Sequence, residues 1–574
     1  MRMKRWLSSI IIIFANLLLI PSAYAEQLLQ FKVFGVTGPA QQNIQQRLTE
    51  LQTSFGHDLT LAEVQTFYRQ APLNIRKALE PFGYFHAMIA HQQLVYQQGQ
   101  WLAYFTVEPG TALPIVQVKL DISGPGKYDP ELMKLAANFP LKPGQPFQTD
   151  SYEKAKNLLF QAANDQGYLQ ATLVESQIRI NLQTYTANVI LHLNTGSRFY
   201  FGPVRFNSTP FSEKFLQRFV TFHQGEPFSS KTLLTFQQDM NKSKYFKQVI
   251  VTPDIKNAEN NRVPVNVSLT VPKTKQYNMG LGYGTFTGAR VTFGTDYRRI
   301  GDSGQHFTTQ VKISSVLSGL AAKYFIPGKN PLTDQYAISA DAQKFVPKNG
   351  QSFSEKFAGS FNKTAREWQH NISLNYLIER FQVENNPSEV SRLLYPRYAL
   401  SRNKMDNLIN PQNGTSFSFS IQGASKHVIS ATSFLQSEIK GKYIVSPTDL
   451  SRIILRGDLG YTVVNNLDRL PLTLRFFAGG LGSIRGYAFS SIGPGRFLET
   501  ASAEYQHRIY GDFSGAIFYD IGTATDHFND YLYRGEGVGV IYNSIIGPLQ
   551  VYVGRAMSKP GKPLSVQFSI GPDF

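Results

Sequence analysis

The sequence predicts a transmembrane β-barrel of about 16 antiparallel strands, preceded by three tandem α+β modules. Three observations support this fold class. After Lys273, apolar and polar residues alternate for about 300 positions without helical periodicity. Before Lys273, one order of strands and helices occurs three times. The chain also begins with an export signal.

The first 25 residues have the three parts of a secretory signal peptide. Arg2, Lys4 and Arg5 precede an apolar run, which ends at Ala23-Tyr24-Ala25. An uncleaved anchor helix is the alternative, but the A-x-A ending favours cleavage after Ala25. We therefore expect an exported mature chain that begins near Glu26.

The composition restricts the class of protein and its partners. The chain has 574 residues, a formal net charge of +17 and no cysteine. An exported chain of this size without disulfides must be stabilised by burial or by a closed hydrogen-bonded sheet. Nucleic acid is not an expected partner for an exported protein, so anionic lipid head groups are the expected match for the excess cations. The ten histidines lack metal-ligand spacing, and no cofactor or metal is expected.

Residues 26–272 predict the three modules, at 26–110, 111–196 and 197–272. The strongest sign of repetition is a turn that opens a helix in two of them, G-Q-P-F at 144–147 and G-E-P-F at 225–228. The first module is looser but keeps the order of elements. A single irregular α+β domain is the alternative. The element order resembles the POTRA domain, a periplasmic module that binds unfolded or partner polypeptides at a sheet edge.

Residues 273–574 predict the barrel. In the first strand Tyr277, Met279, Leu281 and Tyr283 form one apolar face, and glycines occupy most of the other. A barrel with lipid outside and water inside produces this alternation. A β-sandwich or a propeller is the alternative, but a propeller would repeat every ~40–50 residues, and no such repeat is found. The last strand ends at the aromatic Phe574, as is typical of bacterial outer-membrane barrels.

A glycine-rich segment at 475–495 carries one central cation, Arg485. Further along the chain, alternation in F-Y-D-I-G places Phe518, Asp520 and Gly522 inside the barrel. An inward acid in a narrow lumen requires a cation, and a guanidinium can bind a carboxylate through two parallel hydrogen bonds. We expect the loop to fold inward and pair Arg485 with Asp520. A solvated arginine on an external loop is the alternative.

These motifs together resemble the BamA/TamA superfamily of outer-membrane assembly and secretion barrels. I-R-G-Y at Ile484–Tyr487 is similar to the signature of the family's sixth extracellular loop, and F-Y-D-I-G to its partner motif on the thirteenth strand. D-N-L-I-N-P-Q-N-G at Asp406–Gly414 resembles a turn before a mid-barrel strand. S-I-I-G-P-L at Ser544–Leu549 resembles a late periplasmic turn, although Gln550 and Tyr552 replace the family's arginine and aspartate.

The resemblance implies a non-enzymatic assembly factor in the bacterial outer membrane, with its amino-terminal modules in the periplasm. Its implied clients are unfolded barrel proteins such as autotransporters, and its implied partner is a TamB-like inner-membrane-anchored protein at the first module. A conduit for phospholipid or secreted polypeptide remains open. A membrane-embedded hydrolase is disfavoured, because G-D-S-G at Gly301–Gly304 has the composition of a turn and no partners for a triad.

Two sets of site residues follow. The first set, the loop-lock residues, comprises Ile484, Arg485, Gly486, Tyr487, Phe518, Asp520 and Gly522. The second set, the seam residues, lies where the first and last strands meet and comprises Gly280, Gly282, Gly284, Phe568, Ile570, Gly571, Pro572 and Phe574. Glycine weakens a strand and proline cannot donate a ladder hydrogen bond, so pairing is expected to end near residue 571. Glycines that only fit a tight lumen are the alternative.

Overall fold

A computed structural model describes residues 29–56, 59–384, 386–407, 410–528, 530–544 and 547–570. The predicted signal peptide and the seam residues Gly571, Pro572 and Phe574 lie outside these ranges. The described residues form two compact units. One contains residues up to 203 with 222–233 and 253–265, and the other contains 204–221, 234–252 and the residues from 266 onward. Within the described ranges, no helix is both long and apolar enough to cross a membrane.

The first module is a three-stranded sheet covered by two helices. Its elements are β1 (Leu29–Phe34), α1 (Gly38–Thr53), α2 (Leu61–Leu79), β2 (Met88–Gln97) and β3 (Gln100–Glu108). The sheet order is β1–β3–β2, with β1 parallel to β3. A capping box between Thr60 and Glu63 begins α2. The apolar faces of both helices, with Ile44 and Phe67, form one buried core with Phe105 of the sheet.

The same order occurs twice more. The second set is β4 (Ile115–Ser123), α3 (Pro130–Ala137), α4 (Thr149–Asp165), β5 (Thr172–Asn181) and β6 (Thr186–Asn194). The third set is β7 (Tyr200–Phe206), α5 (Glu213–Leu216), α6 (Ser230–Lys242), β8 (Gln248–Pro253) and β9 (Arg262–Thr270). Their sheet orders, β4–β6–β5 and β7–β9–β8, match that of the first module. Three α+β sheets before the barrel are therefore confirmed.

The repeated G-x-P-F turns have a structural explanation in the joints between modules. Gly83 and Gly167 each follow a helix and have a positive φ. A Cβ at Gly83 would lie 2.5 Å from the carbonyl oxygen of Phe147, and one at Gly167 would lie 2.8 Å from that of Phe228. Each phenylalanine belongs to the turn of the next module. The glycine near the end of one module's helix therefore packs against the turn of the next module, and only glycine permits this close approach.

The remaining strands form a closed barrel of 16 strands, as the alternation predicts. These strands are β10 (Lys275–Gly284), β11 (Gly288–Ile300), β12 (Gln305–Ile313), β13 (Leu317–Pro327), β14 (Asp334–Phe345), β15 (Gly350–Ala365), β16 (Trp368–Val383), β17 (Glu389–Met405), β18 (Gly414–Ala424), β19 (Phe434–Thr448), β20 (Ser451–Val464), β23 (Phe497–Tyr510), β24 (Phe513–Thr525), β25 (Tyr533–Ser544), β26 (Gly547–Ala556) and β27 (Leu564–Ile570). A short hairpin, β21 (Phe476–Ala478) with β22 (Ile492–Gly495), lies in the loop between β20 and β23. Apolar residues such as Leu459 are exposed on the outer face, whereas Thr462 is buried inside.

The G-D-S-G sequence is the turn between β11 and β12, and it contacts the third module. The backbone N–H of Ser212 donates to the carbonyl oxygen of Asp302 at 2.9 Å. The ring of Phe215 lies so close to Gly304 that a Cβ there would be 2.4 Å from it. The Ser303 hydroxyl donates to the Asp302 carboxylate at 2.7 Å. The structure thus places this sequence in a turn that contacts a helix.

Candidate functional site: the inward-folded loop and the barrel seam

The loop between β20 and β23 folds into the barrel. Ile484, Arg485 and Tyr487 are 0%, 1% and 1% exposed, so the centre of the I-R-G-Y motif is buried. Ile484 packs in an apolar cluster that includes Phe476 of the hairpin and Leu498 of β23. The alternative of a solvated arginine on an external loop does not describe this structure.

The structure brings Arg485 and Asp520 together. Nε and Nη2 of Arg485 donate to the two carboxylate oxygens of Asp520, each at 2.8 Å. The backbone N–H of Arg485 donates to the same carboxylate at 2.9 Å. Both residues are almost fully buried, so water does not screen the pair. The carboxylate therefore receives three hydrogen bonds from a single residue of the loop.

A second carboxylate, that of Glu504 on β23, lies between Arg485 and a second arginine. Nη1 of Arg485 contacts Glu504, and Arg456 of β20 lies 3.3 Å from the same oxygen. Tyr552 of β26 donates its hydroxyl to the other oxygen at 2.8 Å. Two arginines thus face two carboxylates in the lumen wall. We call Arg485, Asp520, Glu504, Arg456 and Tyr552 the Arg485 cluster.

The sequence prediction missed Glu504 and Tyr552. The glutamate is identified by strand register: Ser502 is the register partner of Asp520, and Glu504 follows on the same face of β23. Tyr552 replaces the aspartate expected from the family's turn. Here it supplies a hydroxyl to Glu504, so the departure from the family pattern lies inside the site.

Aromatic and glycine residues shape the space around the guanidinium. The guanidinium carbon of Arg485 lies 3.7 Å from the ring centre of Phe518, a cation–π contact. On β25, a Cβ at Gly535 would lie 2.0 Å from the carbonyl oxygen of Arg485. On β26, a Cβ at Gly554 would lie 2.8 Å from the backbone nitrogen of Gly486. Gly486 itself has a φ of 91°. The loop backbone can therefore lie directly on the strands only because these positions lack side chains.

The two remaining loop-lock residues have different surroundings. A Cβ at Gly522 would lie 2.2 Å from the carbonyl oxygen of Glu499, so this glycine serves close packing of β24 on β23. Tyr487 donates its hydroxyl to the carbonyl oxygen of Arg534 at 3.2 Å. Its own carbonyl oxygen accepts a hydrogen bond from the side chain of Gln567 on β27 at 3.1 Å. The loop is thus attached to the last strand of the barrel.

The first part of the loop, residues 465–475, is attached to a different wall of the barrel. Glu379 of β16 is fully buried, and its carboxylate accepts the backbone N–H of Thr473 at 3.1 Å and contacts the Thr473 hydroxyl. Arg475 donates to the carbonyl oxygens of Leu470 and Asp468 at 2.8 and 2.7 Å. These bonds within residues 465–475 fix the backbone conformation of this part of the loop. The sequence prediction did not include this second attachment. Two attachments on separate walls hold the loop across the barrel.

We expect Thr473→Val to lower the free energy of unfolding by about 1.5–3 kcal/mol, because Glu379 loses a hydrogen bond to a buried charge. Urea unfolding of the detergent-solubilised protein measures this change. Thr473→Ser is the matched control, since it keeps the hydroxyl and should unfold like the unsubstituted protein. Equal stability of Thr473→Val and Thr473→Ser would show that residues 465–475 are held by other contacts.

The barrel closes by pairing β10 with β27, and this ladder is short. Among the described residues, the register joins only Tyr283 with Ile570 and Gly284 with Ser569. By comparison, β10 forms ten residue pairs with β11, and β27 forms seven with β26. Three hydrogen bonds between Thr285 and Phe568 extend the seam. The carbonyl oxygen of Phe568 accepts the backbone N–H of Thr285 at 3.0 Å and its hydroxyl at 3.4 Å, and the backbone N–H of Phe568 donates to that hydroxyl oxygen at 2.7 Å. The predicted end of pairing near residue 571 lies outside the described ranges.

The seam glycines are not equivalent. A Cβ at Gly282 would lie 2.7 Å from the carbonyl oxygen of Ile570, so this glycine makes room for the last strand. A Cβ at Gly280 would make only an ordinary contact of 3.8 Å, and one at Gly284 would meet the flexible side chain of Thr287. Arg290 of β11 reaches across to the same place and donates to Ser569 Oγ and to the Ile570 carbonyl oxygen, each at 3.2 Å. Sequence reasoning missed Arg290.

A closed 16-stranded barrel with an apolar outer face, preceded by small α+β modules, defines a membrane-barrel protein. The Omp85 superfamily domain matches residues 253–574, more than half of the chain, and the chain belongs to this superfamily. It is an outer-membrane protein, as the sequence predicts. Two further domain models match the modules: the POTRA domain TamA domain 1 at 30–109, and the surface antigen variable number repeat at 119–196 and 199–271.

Two relatives are similar to the chain in sequence, and one solved structure is similar to it in fold. The chain is 20% identical over 534 residues to an outer membrane protein assembly factor BamA of Nitratidesulfovibrio vulgaris, a match that covers 86% of the chain and 66% of the relative. A BamA of Neorickettsia risticii is 30% identical over 206 residues, which cover 31% of the chain and 27% of the relative. The chain thus spans under two thirds of each relative. The crystal structure of Haemophilus ducreyi BamA lacking POTRA domains 1–3 matches the fold with a TM-score of 0.69 at 17% identity, over 80% of the chain and 99% of that structure.

Proposed function

We propose that the protein is an assembly factor that receives unfolded outer-membrane barrel proteins and inserts them into the membrane. Its clients in this proposal include autotransporter-type barrels. The β10–β27 ladder carries the proposal, since its two residue pairs within the described ranges separate more readily than the longer ladders on either side. An opened seam presents unpaired backbone groups to which a client strand can add. No catalytic step is part of this function.

We also propose a division of labour along the chain, with modules at 26–110, 111–196 and 197–272 and the barrel at 273–574. The sheet edges of the modules would hold client strands through backbone hydrogen bonds, which give affinity without requiring a particular sequence. The first module would bind a TamB-like inner-membrane-anchored partner. The match of residues 30–109 to the first POTRA domain of TamA supports this assignment.

A conduit for phospholipid or secreted polypeptide is the competing function. The inward-folded loop argues against an open conduit, because it is attached to two walls of the lumen. Affinity purification from membranes, followed by identification of what is bound, separates the two. Unfolded barrel precursors together with the inner-membrane partner would support assembly. Bound lipid without precursors would overturn the proposal.

We expect a variant lacking Glu26–Pro109 to insert in the outer membrane but to lose the inner-membrane partner, because the barrel is intact and the proposed partner site is absent. Cell fractionation and co-purification measure the two properties. Removal of Lys559–Lys562 from the β26–β27 loop, far from the first module in sequence, is the control and should leave partner binding intact. Partner binding that survives the first deletion would place the contact elsewhere.

A further inference from the structure

The turn after β17 has no part in the Arg485 cluster or the seam, although its sequence resembles a family motif. Its described residues have a defined shape, because the Asp406 carboxylate accepts the backbone N–H groups of Gln412 and Asn413 at 3.0 and 2.8 Å. In an antiparallel barrel, this turn and the loop between β20 and β23 lie at opposite ends. A connection between them must therefore run along the lumen wall.

Arg452 of β20 makes the first part of that connection. Its Nη1 donates to the Asn410 side-chain oxygen and to the Pro411 carbonyl oxygen, each at 2.7 Å. Its Nε donates to Oε1 of Gln506 on β23 at 3.0 Å. One guanidinium thus joins the turn to a strand that lies several strands away in the barrel.

Gln506 makes the second part. While its Oε1 accepts from Arg452, its Nε2 donates to Oε1 of Glu504. Glu504 in turn contacts Arg485, which holds Asp520. Gln506 is 6% exposed and Glu504 is 3% exposed, so few water molecules can replace these bonds. The hydrogen bonds therefore run without interruption from the turn to the loop.

We propose that Arg452 and Gln506 are positioning residues that couple residues 410–414 to the Arg485 cluster. Displacement of the turn moves Arg452, releases the amide of Gln506 and removes one donor from Glu504. The loop at the opposite end of the barrel then loses part of its attachment. A polypeptide that pulls on the turn can loosen the loop without touching it, whichever client is bound.

The test uses the absence of cysteine from the chain. The Ser483 hydroxyl oxygen is buried without a hydrogen-bond partner in the described structure, so Ser483→Cys introduces a shielded thiol beside Arg485 and breaks no bond. Ser391→Cys on β17 has the same property and reports on the wall at the loop's other attachment, because Ser391 is the register partner of Glu379. The rate of maleimide labelling of each thiol is measured in the full-length protein in detergent.

We expect Arg452→Met and Gln506→Leu each to speed labelling at position 483 by roughly fivefold, which corresponds to a coupling of about 1 kcal/mol. The double variant should label no faster than the faster single variant, because both changes break one connection. Labelling at position 391 should not change. Arg397→Met removes a charge from another wall and should leave both rates unchanged.

Three results would overturn the coupling. If neither substitution changes the labelling rate at position 483, the loop does not respond to the turn. Additive effects in the double variant show that the two residues act separately. An equal rise at position 391 shows that the loop and the wall at its other attachment loosen together rather than along this connection.

Discussion

Arg485→Ala is expected to lower the free energy of unfolding by about 3–5 kcal/mol, the cost of leaving a buried charge without its partner. Asp520 is fully buried, and all three of its hydrogen bonds described above come from Arg485. Alanine keeps the backbone N–H but removes both guanidinium donors. Glu504 keeps Arg456 and Tyr552, so the loss falls mainly on Asp520. Urea unfolding in detergent measures the change, and protease digestion should cut the released loop.

Asp520→Ala is expected to produce the same defect to a smaller degree, because Arg485 retains Glu504 and the Phe518 ring. Arg469→Ala is the matched control: this arginine is exposed in the same loop, and its removal should change stability by less than about 0.5 kcal/mol. If Arg485→Ala and Asp520→Ala both unfold like the control, the loop is held by contacts other than this pair.

The fold was predictable because its signals are local. Alternation of apolar and polar residues identifies strands one at a time, and a membrane barrel repeats that pattern in every strand. The repeated turns identify the modules in the same way. Asp520 was also predictable, since it is a single acid between aromatic and aliphatic residues. Arg485 is similarly a single cation among glycines.

The partners of these residues were not predictable, because they depend on strand register. Glu504, Glu379 and Arg290 each lie on a lumen face where polar residues occur regularly, so none of them differs from its neighbours in the sequence. Arg290 contacts Ser569 only because barrel closure brings β11 near the end of β27. Gln506 connects Arg452 to Glu504 because β23 pairs with β20 beyond the intervening loop. Contacts between residues so far apart require the closed structure.

An engineered disulfide across the seam is expected to abolish client insertion while it is oxidised and to restore insertion on reduction. Tyr283 and Ile570 are register partners, and opposed residues in an antiparallel ladder lie about 4.5–5.5 Å apart at Cα, within the range that a disulfide spans. Tyr283→Cys with Ile570→Cys therefore closes the proposed route without other changes. The measurement is insertion of a urea-denatured autotransporter barrel domain into vesicles that contain the protein.

The control disulfide joins Ile439→Cys with Leu459→Cys, which are partners in the β19–β20 ladder and lie several strands from the seam. This pair adds the same chemistry to the same face of the barrel, so it should leave insertion unchanged in both redox states.

Arg290→Met tests whether the seam opens more readily when a contact across it is removed. It removes the donors to Ser569 and Ile570, so in the double-cysteine protein under reducing conditions it should speed maleimide labelling of the two seam thiols. Insertion that continues at the same rate with the seam crosslink formed on a gel would exclude the β10–β27 junction as the client's route.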